Sequence, residues 1–219
     1  AKPWFQSRRS GKSDIQHART LLSLYSQNPC SYLALEDDKY LYFGSGRDGV
    51  IPYGTVGETV IVNGDPVCAD EDFPALLEEF KEFCQKSAHK LFFLSVTDHF
   101  LEEYRKQGFG CVKCGEEARF RLSEYELSGK KGAKMRMNLN HAAKAGVTVQ
   151  EYRVLEQRDP VIEQEFERIT QEWLQEKKSS LLKFTLGSVG LDEPMDKRYF
   201  YALDASGKMA AFIVFVPFL

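Results

Sequence analysis

No stretch of this 219-residue chain is long and apolar enough to cross a bilayer. The longest apolar run, Met209 to Leu219, falls well short of the roughly 20 residues that span one. The opening Ala1-Lys2-Pro3-Trp4 lacks the apolar core of a secretory signal. Cysteine is sparse and odd in number (Cys30, Cys68, Cys84, Cys111 and Cys114), which argues against a disulfide framework and for reduced thiols in a cytoplasmic setting. An excess of either charge is also missing. With 29 basic and 32 acidic residues the net charge is -3, so any affinity for a polyanion must come from a local patch. Metal-site spacing is absent: Cys111-Val-Lys-Cys114 is half a zinc knuckle without a second pair, and reads as structural thiols in a strand. No Ser-His-Asp or Cys-His arrangement stands out, and Asp98-His99 reads as an ordinary helix start.

What is present is the composition of an ordinary folded protein, 43% apolar and 28% charged, at a length that allows one domain or two. Asp14 is placed to cap a helix bearing Ile15, Ala18, Leu21, Leu22 and Tyr25. Strands are expected at Ser31–Leu35, Tyr40–Phe43, Val50–Tyr53, Glu58–Val62 and Leu91–Val96, with a helix from Phe73 to Ser87. A short helix, Phe100–Gln107, ends at Gly108, and Cys111 to Leu122 reads as extended. After Gly146 the pattern predicts a strand over Val147–Val154, then a helix from Val161 to about Lys177. That helix is introduced by Asp159 at the cap and Pro160 at the first position. A hairpin follows, Tyr199–Leu203 with Met209–Phe215. Tyr201-Ala-Leu-Asp204 echoes Leu33-Ala-Leu-Glu36, which suggests a duplicated fold. The fold class is mixed α/β (α+β).

Between the two halves lies the most informative segment. From Leu127 to Gln150 there is no Asp or Glu, while Lys130, Lys131, Lys134, Arg136 and Lys144 all fall there. On a helical wheel Lys130, Lys134, His141 and Lys144 share one face, and Met135, Leu139 and Ala142 lie nearly opposite. Such a helix would seat its apolar side on the protein and aim its cations outward. A solvated connecting helix normally mixes signs to gain i,i+4 pairs of a few tenths of a kcal/mol each. This one forgoes them, and its mutual repulsion would be relieved by tRNA phosphates or anionic headgroups.

Read together, Tyr32 to Lys39, Asn63-Gly64-Asp65-Pro66-Val67, Gly115-Glu-Glu-Ala118 and Leu127-Ser-Gly-Lys-Lys131 with Arg136 and Asn140 resemble the C-terminal domain of phosphatidylglycerol lysyltransferases. The resemblance runs over about residues 14 to 219. It implies tandem acetyltransferase-like (GNAT) folds joined by a basic helix: a first domain over 1–128, the connecting helix over 129–146, and the start of a second, truncated fold over 147–219. It implies transfer of an amino acid, lysine foremost, from aminoacyl-tRNA to phosphatidylglycerol at the cytoplasmic face of a bacterial membrane. The membrane would be reached through a transmembrane segment absent from these residues. The aminoacyl ester is already activated, so neither cofactor nor metal is implied. Substrate-binding residues are expected at Lys130, Lys131, Lys134, Arg136, His141, Lys144 and Asp65, with Phe184-Thr-Leu-Gly187, preceded by Lys183, bordering the substrate channel. Ala211 to Pro217 resembles the strand before the family's Asp- and Arg-containing active segment, so catalytic residues are expected beyond Leu219.

Other readings compete. A Fem-type peptidoglycan aminoacyltransferase would share the tandem folds and the charged tRNA. A non-catalytic module binding tRNA or anionic lipid needs only the basic helix. A coenzyme A-dependent acetyltransferase is disfavoured: Arg105-Lys-Gln-Gly-Phe-Gly110 has the pyrophosphate-loop pattern but follows a helix, the wrong end of the dipole for phosphate.

Overall fold

The computed structural model describes residues 11–177, 181–191, 194 and 196–218, and the side chain of Lys183 also lies outside what is described. The opening stretch Ala1 to Trp4 and Leu219 fall outside as well. The chain forms two compact units: residues 1–114 with 180–188 and 217–219, and residues 115–179 with 189–216.

In the first unit, α1 (Lys12–Tyr25) precedes a 3-10 turn, Ser31–Leu35, and then β1 (Tyr40–Phe43), β2 (Gly49–Val56), β3 (Thr59–Asn63) and the short β4 (Val67–Cys68). Next come α2 (Phe73–Lys86), β5 (Lys90–Leu94) and α3 (Leu101–Lys106). The strands run β1-β2-β3-β5, with β4 also on β2; β3 and β5 are parallel and the other pairs antiparallel. The parallel pair needs a crossover, and α2 supplies it. Phe73, Leu76, Leu77, Phe80 and Cys84, spaced for one helical face, bury against Ile51, Tyr53, Val60 and Val62. Val50, of the opposite parity, packs instead with Ala18, Leu21, Leu22 and Val67. Covered on both faces, β2 reads as a nearly continuous apolar run rather than an alternation.

Two expectations change here. Asp14 is not the cap of α1: Gly11 is, and Asp14 sits three residues on, accepting the Gly11 N–H at 2.9 Å. Ser31–Leu35 is a 3-10 turn, not a strand. Asn28 nucleates it, its carbonyl accepting Ser31 N–H and its side-chain oxygen accepting Cys30 N–H at 2.9 Å. The echo between Leu33–Glu36 and Tyr201–Asp204 therefore joins a turn to a strand and says nothing about duplication.

The second unit holds α4 (Ala133–Lys144), β6 (Thr148–Tyr152), α5 (Pro160–Lys177), β7 (Arg198–Leu203) and β8 (Met209–Phe215); α6 (Leu181–Leu186) belongs to the first unit. The three strands form an antiparallel sheet, β6-β7-β8. Phe166 of α5 fills its centre among Tyr152, Val154, Tyr199, Tyr201 and Met209. Asp159 caps α5, accepting the Val161 N–H at 2.9 Å, and Pro160 costs nothing at a position whose N–H has no helical partner. Residues 107–121 form no helix or strand, so the expected extended segment from Cys111 is irregular. The cause is local: Gly108, Gly110 and Gly115 crowd it, and Glu116, Glu117, Arg119 and Arg121 give it no apolar face to bury. No helix among the described residues is long and apolar enough to cross a membrane.

Candidate functional site

Two sets of residues carry chemistry, one in each unit. In the second, the chain approaches α4 through a tight loop. Gly132, the cap, lies where a β-carbon would come within 2.1 Å of the Leu127 carbonyl oxygen. Gly129 takes the left-handed conformation at φ 65°. Arg136 then reaches back, donating to the Leu127 carbonyl and to the Gly129 carbonyl at 2.9 Å. Arg136 is thus partly spent on holding the loop that presents Lys130 and Lys131. Those two lysines stand in the turn before the helix rather than on its wheel.

Lys134, His141 and Lys144 remain on one side of α4, all exposed. Among the described residues no acidic side chain pairs with Lys130, Lys131, Lys134 or Lys144. Elsewhere such pairs are common, as in Lys81–Glu78 and Lys106–Glu103. His141 and Lys144 in the last turn suit the negative end of the helix dipole, whereas Lys134 in the first turn opposes the positive end with no acid nearby to offset it. The apolar side is not seated as expected. Met135 and Leu139 are 47% and 52% exposed, and only Ala142 is half-buried. Asn138 and Asn140 interrupt the stripe, leaving it narrower than the roughly 100° a docked helix needs.

In the first unit, three of the sequence segments singled out above meet. Phe184 of α6 lies against Gly54, where a β-carbon would come within 2.7 Å of its ring, and the Lys39 ammonium sits 4.0 Å from the same ring centre. The Lys39 side chain is 1% exposed and pairs with Asp38 at 2.5 Å. A cation this far from water gains more from an aromatic face than an exposed one does. Gly187 takes φ 79°, and a β-carbon there would come within 2.8 Å of the Leu33 side chain and 3.3 Å of the Glu36 carboxylate. Ser188 then donates its hydroxyl to Glu36 at 2.5 Å. Asn63 donates to the Thr185 carbonyl at 3.5 Å, while its own side-chain oxygen is buried without a partner among the described residues. Glu36, Lys39, Asn63 and residues Phe184 to Ser188 are thus joined by one set of mostly polar contacts. Their separations of 122 and 152 residues along the chain kept that convergence out of reach of local sequence patterns.

Asp65 belongs to the first unit too, but it faces inward. It is 6% exposed and accepts four hydrogen bonds: from Asn28 at 2.8 Å, Thr97 N–H at 3.0 Å, the Thr97 hydroxyl at 2.9 Å and Tyr104 at 3.1 Å. Burial and the Asp65 charge together hold the Tyr104 phenol well above its usual range. Asn28 also donates to the carbonyl of Ser95, a residue at φ 58°. The Asn63-Gly-Asp-Pro turn is thereby locked to the loop after β5.

The remaining candidates resolve simply. Gly108 closes α3 at φ 86°, its N–H and that of Phe109 satisfying the last carbonyls, so the Arg105–Gly110 pattern is a helix stop. His99 contacts Asp70 at 2.9 Å on the surface. Cys111 and Cys114 are exposed rather than packed, contrary to the structural reading. No group of three or more metal-ligating side chains occurs among the described residues.

Comparison with known proteins gives one consistent answer. Residues 19–219 match the family model described as phosphatidylglycerol lysyltransferase, C-terminal. The phosphatidylglycerol lysyltransferase of Staphylococcus xylosus is 30% identical over 191 residues, 84% of this chain and 22% of that protein. The Bacillus subtilis enzyme of the same name is 28% identical over 209 residues, 94% of this chain and 24% of its own length. The chain therefore spans about a quarter of the curated relatives it matches. Among solved structures, the C-terminal domain of a putative lysylphosphatidylglycerol synthetase from Agrobacterium fabrum aligns with a TM-score of 0.76 at 26% identity, covering 93% of this chain and 63% of that one. The structure of L-PGS from Bacillus licheniformis, at 24% identity and TM-score 0.75, covers 94% and 64% and shares the fold.

Proposed function

The chain belongs to the phosphatidylglycerol lysyltransferase C-terminal family, and from that premise we propose that it is part of an enzyme moving lysine from lysyl-tRNA to phosphatidylglycerol. The transfer balances without an external energy source. The lipid's glycerol hydroxyl attacks the aminoacyl carbonyl, the ester bond to the tRNA ribose breaks, and the hydroxyl proton ends on the departing ribose oxygen. Alignment of the two substrates and stabilisation of the oxyanion supply the barrier reduction, which demands few reactive side chains.

The observation that carries the proposal is the cationic run of residues 130–144, whose lysines have no acidic partner among the described residues, in a member of this family. Lys130, Lys131, Lys134, Arg136, His141 and Lys144 are proposed to hold phosphates, of the tRNA and of the anionic lipid surface at the cytoplasmic face of the membrane. Asp65 is proposed to act at one remove, fixing the turn beside Asn63. Phe184 to Gly187, against Lys39 and Glu36, is proposed to border the substrate channel. Two acetyltransferase-like domains are proposed, the first over 1–128 and the start of the second over 147–219, joined by a basic helix over 129–146. In the first, antiparallel strands lead into a parallel pair across α2. Residues 1–219 are proposed not to complete the transfer alone, since they correspond to 63–64% of the solved relatives' chains.

The test is expression of the full coding sequence in a bacterium whose phosphatidylglycerol carries no amino acid, followed by mass spectrometry of its lipids. Lysyl-phosphatidylglycerol is the expected product. Its absence, with the protein folded and membrane lipid and lysyl-tRNA present, would reject the assignment. An aminoacylated peptidoglycan precursor would favour the Fem-type alternative instead.

A further inference from the structure

We propose that Cys111 and Cys114 form a reversible intramolecular disulfide, a redox-sensitive ring at the place where the first unit gives way to the second. Cys30 is half-buried, and the other four cysteines divide sharply. Cys68 and Cys84 are buried in the core of the first unit, and burial pushes both thiols up to about 12, so they are inert toward exchange. Cys111 and Cys114 are exposed, three positions apart, in a stretch that forms neither helix nor strand. Their neighbour Val112 is 90% exposed, and Lys113 between them is exposed as well. Around Gly108, Gly110 and Gly115 there is open space, with nothing within 4 Å of where a β-carbon would stand.

A disulfide between residues three apart requires this stretch, which holds no turn in the structure, to bend. Its α-carbons must approach to roughly 4.4–6.8 Å, which a strand forbids and a turn allows. The irregular chain and its flanking glycines let this stretch turn at little cost. Closing so short a loop also loses little chain entropy, so the second thiol captures a mixed disulfide faster than a free thiol can. The reaction is exchange with a small-molecule disulfide such as oxidised glutathione. One cysteine thiolate attacks it, releasing one glutathione thiol. The other cysteine then attacks the protein-bound sulfur, releasing the second. Two electrons and two protons pass from the cysteines to the reagent. The unit boundary falls immediately after Cys114, so ring formation stiffens the first residues of the connection.

The purified chain would be equilibrated with glutathione buffers from fully reduced to fully oxidised, alkylated, and cleaved with trypsin without reductant. Cleavage after Lys113 then falls inside the ring. The expected result is two peptides held together by the Cys111–Cys114 bond, which part on reduction and lack any glutathione mass. Cys114→Ser should convert the product into a stable glutathione adduct at Cys111. Phenylarsine oxide, which bridges closely placed dithiols, should block ring formation in the unsubstituted chain and leave the Cys114→Ser adduct unaffected. Two stable glutathione adducts, or free thiols persisting in the fully oxidised buffer, would overturn the proposal.

Discussion

Asp65 shows how much can rest on one buried carboxylate. Four donors converge on its two oxygens, drawn from α3 and from segments 32 and 37 residues away. Asp65→Asn keeps the shape but turns an acceptor into an NH2 that faces donors. It should cost the first unit roughly 3 kcal/mol in urea unfolding, in the range for unsatisfied buried groups. A loss below about 0.5 kcal/mol would mean that the network contributes no more than an exposed substitution does. The family resemblance implied a ligand for Asp65, and because none of its donors is local the sequence did not reveal that it faces inward. Gly187 makes the complementary case. Its left-handed backbone strains any side chain, and the Leu33 methyl would have to shift aside, so Gly187→Ala should destabilise the α6 segment by about 1–2 kcal/mol. Hydrogen exchange at the Thr185 and Ser188 amides would report it as faster opening.

Secondary elements were legible wherever a periodic apolar face was long. Helix α2 and the hairpin of β7 and β8 lie where their patterns placed them, because each buries a full face. Short apolar runs were ambiguous. Ser31–Leu35 has the composition of a strand, but the Asn28 turn before it decides otherwise. The helix α4 was legible as a helix and misread as docked, since its stripe of Met135, Leu139 and Ala142 is too narrow to bury. Helix α5 carries its own pH dependence. Hydrogen bonds from Arg158 hold the Glu163 carboxyl below its usual range, against the opposing effect of burial, and Tyr152 adds a third donor. The folded-state value lies below the unfolded one, so this stabilisation is complete above the ordinary carboxylate range and is lost as pH falls through the depressed value. Thermal midpoints measured from neutral pH down to about pH 3 should therefore drop less steeply for Glu163→Gln than for the unsubstituted chain. Parallel curves would place the acid sensitivity elsewhere.

At the scale of the whole molecule, charge distribution matters more than charge. The net value of -3 conceals a cationic run without acidic partners among the described residues, and only its position in the chain made it visible. The contacts among Glu36, Lys39, Asn63 and Phe184 were not visible at all, because three distant segments have to fold before they meet. The central claim is that the cations of residues 130–144 hold phosphates. It is tested most directly by tRNA affinity across a range of salt concentrations, for the unsubstituted chain and for Lys130→Gln, Lys134→Gln and Lys144→Gln combined. Glutamine keeps helix propensity, and removing exposed charges should leave folding stability nearly unchanged. If each lysine meets one phosphate, affinity should fall strongly, and the slope of log affinity against log salt should flatten by about 2 to 3. An unchanged affinity and slope would contradict the account and leave α4 a connector.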